Sequence, residues 1–525
     1  MEKSNQPYYW TTSTEQQTDQ NLYSTDEQHT DRNLYSTDVS QFSVQTPELT
    51  NNSITASFSS NGSPTSLQDS HSFQPEPYHS PDYTYTSQIT RSGLEDNVDE
   101  LHLRLSEIQA ILESDHDFAE SFNVSGSWGT CDTDNVIPGN DEYQMMEKMV
   151  SIGDLKEGLL ICAKAVAENK TLTAEGLISM LRPLVSVGGA PRERLAAYMM
   201  EGLVARLSSS GSVICKSLKC KEPTGAELFS YMMLLYEACP YFKFGHLSAN
   251  GAIAEAIKNE DRIHIIDFQI AQGGQWLTLI QALAARPGGP PRLRITGMDD
   301  SRNAFARGGG LNIVGQRLAK LAESCKVPFE FHGIPVSVSD IQIQHLRVQP
   351  GEALVVNCAL VLHHLLDETV HPQNHRDRVI RLIKSLSPKV VTLVEQEANV
   401  NTAKFFDRFQ ESFSYYSAMF ESIDATLERD HKERINVEQH CLAGEIVNIL
   451  ACEGAEREER HELLGIWRSR FIKAGFTPYP LSSYVNATIK TLLENYCDKY
   501  RLEERDGALF LGWMNRALVT SSAWQ

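Results

Sequence analysis

Ile263-His264-Ile265-Ile266-Asp267-Phe268, then Gln272-Gly273-Gly274-Gln275-Trp276, then the apolar-periodic stretch from Leu277 to Ala285, decides the fold. A short apolar run ending in an acid, a pair of glycines and a run with helical spacing read as the first strand, turn and helix of an α/β sheet. Leu293-Arg294-Ile295-Thr296-Gly297-Met298, ending in Asp299-Asp300, is a second strand with a second acid one βαβ unit further on. Acids and glycines at the carboxyl ends of such strands are where doubly wound sheets place a ligand. Asp267, Gly273, Gly274 and Asp299 are therefore the candidate ligand crevice.

Residues 328–333, 352–358 and 389–395 add three more apolar runs of the kind buried on both faces of a parallel sheet. Residues 500–505 and 508–513 flank Asp506-Gly507, the pair that two-residue hairpin turns favour. The predicted fold class is α/β: Rossmann-like, with a mostly parallel sheet and a C-terminal antiparallel hairpin at one edge. Arg307-Gly308-Gly309-Gly310 opens a helix carrying Val314, Leu318 and Leu321; such a triplet more often makes a flexible connection than a phosphate cradle.

Ahead of the sheet, helical periodicity dominates. Leu155, Leu159, Cys162, Ala163 and Val166 form one stripe, Leu177, Met180, Leu181 and Leu184 a second, and Pro191 leads into Leu195, Met199, Leu203 and Leu207. Residues 224–238 and 249–258 read as two more helices. Stripes of this kind are usually the core of a bundle and less often a partner surface. On the second reading Leu155, Leu159, Leu177, Leu181, Leu195 and Leu203 are partner-binding candidates. Leu362, Leu365 and Leu366 join them, having the Leu-x-x-Leu-Leu spacing of helix-in-groove anchors. Between these, His363-His364 has no Asp or Cys at ligand spacing, so a structural role is expected and no metal site.

Charge divides the chain. Residues 1–140 hold 22 acids against 4 bases, leaving 46 acids and 43 bases for the rest, so nearly all of the formal charge of −21 lies at the N-terminal end. A near-neutral remainder does not favour phosphate binding driven by bulk charge. Residues 1–94 are rich in Ser, Thr, Gln and Asn and poor in aliphatics, a composition that predicts disorder. Within them Thr18-Asp19-Gln20-Asn21-Leu22-Tyr23-Ser24-Thr25-Asp26 recurs as Thr30-Asp31-Arg32-Asn33-Leu34-Tyr35-Ser36-Thr37-Asp38. Two copies of a 12-residue unit do not build a solenoid. An amphipathic helix is expected over 96–113 and a linker over 114–140. The ten cysteines contain no Cys-x-x-Cys pair, which favours a reducing compartment, and no apolar run is long enough to span a membrane.

Residues 141–525 resemble the plant GRAS-domain family throughout. Residues 146–207 look like its first leucine repeat. Ile263, His264, Ile265, Ile266 and Asp267, in the region 224–290, match its Val-His-Ile-Ile-Asp signature with Ile for Val. Residues 305–337 resemble its second leucine repeat, and Pro388 with the aromatics of 405–416 its Pro-Phe-Tyr-Arg-Glu region over 347–440. In the closing block, 443–525, Trp467, Gly475, Trp513 and Trp524 match its Ser-Ala-Trp motif. Residues 240–244 and Arg376-Asp377-Arg378 look like the phytochrome A signal transduction branch of scarecrow-like proteins. Where the Arg-Glu pair is expected the chain has Gly444-Glu445.

The resemblance implies an α-helical cap on a methyltransferase-type core. It also implies a nuclear, partly cytoplasmic transcriptional coregulator that reaches DNA through DNA-binding transcription factors and other GRAS proteins, as a homo- or heterodimer, in light, hormone or stress signalling. No enzyme activity and no cofactor are expected. Two alternatives stand beside this. A methyltransferase or S-adenosylmethionine sensor needs glycines two and four places after Asp267, where the chain has Gln269 and Ala271. A direct DNA binder needs a basic stripe that the sequence does not display.

Overall fold

The computed structural model describes residues 154–208, 225–299, 310–428 and 431–525. The tail with its repeat, the 96–113 helix, the linker, Asp300, Arg307 and the first two glycines of the triplet, Gly308 and Gly309, lie outside the described residues.

Among the described residues five α-helices precede the sheet: α1 (Leu155–Ala167), α2 (Thr171–Leu181), α3 (Pro191–Leu207), α4 (Gly225–Ala238) and α5 (Tyr241–Ala256). Their starts follow local chemistry. The Asp154 side chain accepts from Glu157 N at 3.3 Å to cap α1, and α3 opens on a proline whose missing N–H is no loss in a first turn. Helix α5 begins earlier than the 249–258 expected, because Tyr241 and Phe244 turn inward and extend its buried face.

The sheet alternates with helices: β1 (Arg262–Asp267), α6 (Gly274–Ala284), β2 (Arg292–Met298), α7 (Gly310–Ser324), β3 (Phe329–Ile334), β4 (Ala353–Ala359), α8 (His375–Ser385) and β5 (Val390–Gln396). Strand order is β3-β2-β1-β4-β5, all parallel. After β5 the chain leaves the sheet for α9 (Phe405–Asp424), α10 (Lys432–Val437), a π-helical turn (Glu438–Leu442) and α11 (Ala443–Ala451). Helices α9 and α11 pack on α3, so the cap is built from two separate stretches of chain. Then come α12 (Leu464–Lys473), β6 (Pro478–Tyr479), α13 (Ser483–Leu493) and the strands β7 (Tyr500–Arg505), β8 (Ala508–Trp513) and β9 (Arg516–Trp524).

The hairpin β7–β8 forms as expected, but it does not join the parallel strands directly. Strand β9 lies between, antiparallel to both β5 and β8, giving the order β5-β9-β8-β7 with β6 also paired to β9. Thr520-Ser521-Ser522 interrupts the apolar pattern of β9 and hides it from a hydropathy reading, yet every residue of the strand is buried.

Alternate strand residues feed two cores, as period-2 geometry requires. Ile263, Ile265, Val355 and Val394 face the core shared with the cap helices, whereas Ile266, Val356 and Leu393 face the core closed by α8 and α12. The closing-block tryptophans divide between them. Trp467 and Trp524 belong to the second, where Trp524 lies 5.0 Å from Phe471, and Trp513 meets Tyr500 edge-on in the first. Gly475 ends α12 with φ +91°, a left-handed turn that suits glycine.

Candidate functional site

Asp267 ends β1 at the centre of the parallel sheet, with Asn357 beside it in register on β4. Its carboxylate faces inward. Oδ1 accepts from Gln269 N at 3.0 Å and Asn357 Nδ2 at 3.3 Å, and Oδ2 accepts from the indole N–H of Trp276 at 2.8 Å. Asn357 continues the network, its Oδ1 accepting from Thr392 Oγ1 at 2.7 Å and its Nδ2 donating to Gln275 Oε1 at 3.0 Å; Gln275 Nε2 donates to Asn250 Oδ1 at 3.2 Å. All of these side chains are buried, Trp276 completely. They knit β1, β4, β5 and α6 to α5 of the cap.

The turn after β1 closes the same crevice. Ile270 N donates to Met298 O at 3.0 Å, and the Ile270 side chain lies so close over β2 that a Cβ on Gly297 would sit 2.5 Å from it. Gly273 caps α6 with φ +73°, and a Cβ there would meet Val314 at 3.0 Å. Gly274 starts α6, and Asp299 is buried just past β2. Ala271 takes φ +46°, so the left-handed turn that a ligand-cradling glycine would make survives with a methyl group on it. Asp267 spends its carboxylate on the fold. An adenosyl group would have to displace Trp276 and the amide network, so the residues present do not fit that cofactor.

Burial raises Asp267 to about 6, against the opposing pull of its three donors. The folded chain therefore holds the proton more tightly than the unfolded one. The stability this adds is complete below about pH 3.8 and is lost as pH rises to about 6, about 3 kcal/mol in all. Relative to Asp267→Asn, the wild type is expected to be more stable at pH 4 than at pH 7. Urea unfolding of both proteins across that range checks it, and a difference that does not vary with pH contradicts it.

Leu159, Leu177, Leu181, Leu195 and Leu203 are buried and Leu155 is half-buried, so these stripes fill the cap's interior. Leu362 and Leu365 are likewise buried, with Leu366 half-buried; the segment is a 3-10 turn (Leu362–His364) rather than a helix, so as folded it is not a groove anchor. The cap instead presents Leu172, Val187 and Met232 to solvent. A cleft of about 460 Å³ opens beside the start of α9, lined by Arg206, Lys404, Arg408, Arg457 and Glu453 among others. Its guanidinium groups already have partners. Arg206 and Arg408 share Glu453, and Arg457 donates to the Val400 and Asn401 carbonyls.

A feature absent from the sequence reading is the run Glu456-Arg457-Glu458-Glu459-Arg460-His461-Glu462. Seven charged or titratable residues in succession look like a solvated surface, yet Arg457, Arg460, His461 and Glu462 are buried. Past Glu456, the last residue of a 3-10 turn (Gly454–Glu456), the run belongs to no helix or strand, so no period betrays which residues turn inward. It wraps the loop after β5: Val400 N and Asn401 N both donate to His461 O at 3.2 Å, and Arg460 donates to Asn401 Oδ1 at 3.0 Å. Glu445, which stands without the expected arginine, accepts from Tyr416 Oη at 3.0 Å; burial, then the nearby Glu459, push it up to about 8.

The family model for the GRAS domain family matches residues 155–525. Scarecrow-like protein 5 of Arabidopsis thaliana is 62% identical over 435 residues, 83% of this chain and 72% of that protein. Scarecrow-like transcription factor PAT1 of the same plant is 67% identical over 377 residues, 72% of this chain and 77% of its own. Chitin-inducible gibberellin-responsive protein 2 of Oryza sativa subsp. japonica is 56% identical over 464 residues, 88% and 82%. The crystal structure of SCL7 of Oryza sativa superposes with a TM-score of 0.62 at 38% identity, covering 71% of this chain and 99% of that one.

Proposed function

The chain belongs to the GRAS domain family, and from that premise we propose that it is a transcriptional coregulator, working through contacts with DNA-binding partner proteins in plant light, hormone or stress signalling. Its relatives carry regulatory names, among them a transcription factor and a gibberellin-responsive protein. The observation that carries the reading is the crevice. The position where this sheet type would hold a cofactor is occupied by the Asp267–Trp276–Asn357–Gln275 network, which favours a scaffold over an enzyme or an adenosyl sensor. Partner contacts then fall to the cap, where Leu172, Val187 and Met232 are exposed apolar side chains. Direct DNA binding gains little from the cleft by α9, because its arginines are committed to Glu453 and to backbone carbonyls. The protein is assigned to the nucleus with a cytoplasmic fraction; among the described residues no helix is long and apolar enough to cross a membrane.

The test is capture of partners by the tagged full chain from plant nuclear extract, with and without nuclease, against a Leu172→Asp, Val187→Asp, Met232→Asp variant. A sequence-specific DNA-binding protein retained after nuclease by the wild type and lost from the variant is the expected result. Retention that depends on intact DNA, together with steeply salt-dependent binding of DNA by the purified chain alone, would replace the proposal with direct recognition.

A further inference from the structure

His363, Glu459 and His461 meet outside the carboxyl ends of β4 and β5, remote in function from the Asp267 network. One ring nitrogen of each histidine and one carboxylate oxygen all lie within 4.8 Å of one another. His363 and His461 are buried, and Glu459 is nearly so. Glu395 on β5 approaches His363 Nδ1 at 2.6 Å and is itself fixed by Leu362 N at 2.9 Å. From this arrangement we propose that His363 Nε2, His461 Nε2 and the Glu459 carboxylate bind one divalent transition cation of the zinc class.

Three observations carry the site. The first is spacing: Glu459 Oε2 stands 3.4 Å from His363 Nε2 and 3.3 Å from His461 Nε2. A tetrahedral ion with bonds of 2.0–2.1 Å sets its ligand atoms about 3.3 Å apart. The second is that, among the described residues and beyond their contacts with one another, Glu459 Oε2 and both ring nitrogens of His461 are buried without a further hydrogen-bond partner, a costly state that an ion would relieve at Glu459 Oε2 and His461 Nε2. The third is Glu395. A carboxylate accepting the Nδ1–H of an imidazole fixes the tautomer that points the Nε2 lone pair at a metal, the usual outer-sphere arrangement for a ligating histidine.

Two imidazoles and one carboxylate select a zinc-like cation over magnesium or calcium, which prefer all-oxygen shells. Half-exposed His364, 3.7 Å from the other Glu459 oxygen, marks the side from which an ion or a water ligand enters. The ion would tie the turn after β4 to the buried charged run, two segments that no strand pairing joins. It also explains why the paired histidines alone do not announce a site: the other two ligands come from a distant part of the chain.

The experiment uses the purified full chain, stripped with chelator and titrated with Co²⁺, followed by displacement with Zn²⁺. Expected are one Zn²⁺-displaceable Co²⁺ per chain, visible ligand-field bands of a four- or five-coordinate ion, and no sulfur-to-metal charge transfer. Glu459→Gln and His461→Gln should each weaken binding at least 100-fold, and Glu395→Gln about 10- to 100-fold. Because a variant in this buried cluster can fail to fold, the wild type is also read by histidine-side-chain nitrogen NMR, in which two imidazoles should shift on Zn²⁺ addition. Absence of a saturable one-to-one signal, a thiolate spectrum, or folded Glu459→Gln protein binding as tightly as wild type would overturn the proposal.

Discussion

Glu462→Ala is expected to lower the unfolding free energy by about 3–5 kcal/mol, because it strands charges that have no route to water. Arg376 is fully buried, and among the described residues its ion pair is with Glu462, at 3.0 Å. The same carboxylate receives Nε and Nη2 of Arg470 at 2.8 and 2.9 Å and Nδ2 of Asn401 at 2.8 Å. Arg470 keeps Glu368 and Asp377 in ion-pair contact when Glu462 is lost, whereas Arg376 keeps two backbone carbonyls, the face of Trp467 and only the longer-range charges of Asp367 and Glu395. Most of the loss therefore arises at Arg376. Glu462→Gln, which retains an acceptor but not the charge, should fall between alanine and wild type. Urea unfolding is the measurement; a loss under about 1 kcal/mol for alanine would mean that water reaches Arg376.

That an effect this large falls on Glu462 shows where hydropathy stops being informative. Strands β1, β2, β4 and β5 were readable because each buries both faces and is dominated by apolar residues, and the β7–β8 turn because Asp506 and Gly507 both take positive φ. Strand β9 was not, since its polar residues are buried as sheet neighbours of β5, which no local pattern encodes. The use of the residues after β1 was not legible: whether Asp267 faces a ligand or Trp276 depends on a side chain nine positions on that the sequence shows only as a helix residue. Likewise His363 acquires its acidic neighbours Glu395 and Glu459 from elements far along the chain.

Glu438→Ala is the second substitution expected to cost about 3–5 kcal/mol, and it acts on the cap rather than the sheet. Glu438 opens the π-helical turn and is completely buried together with Arg194 of α3 and Arg434 of α10. Arg194 Nε donates to both of its oxygens at 3.0 Å, Arg434 Nη1 to Oε2 at 3.0 Å, and Arg194 Nη1 reaches Asp424 at the end of α9 at 2.8 Å. Burial raises the Glu438 pKa while the two guanidiniums pull it down, so the carboxylate keeps its charge only through them. Removing it takes the shared carboxylate away from two buried cations, of which Arg194 retains Asp424. An apolar replacement of all three, Arg194→Met, Glu438→Leu and Arg434→Met, should recover most of the loss, since buried ion triads seldom stabilise more than packed hydrocarbon. Urea unfolding of the single and triple variants tests both statements; a triple variant as unstable as Glu438→Ala would contradict the second. If the triple variant is stable but no longer captures the partner held by the wild type, the triad's contribution is orientation. A planar guanidinium fork fixes the angle between α3 and the π-turn in a way that apolar packing does not, and a partner bound across both stretches of the cap would sense that angle.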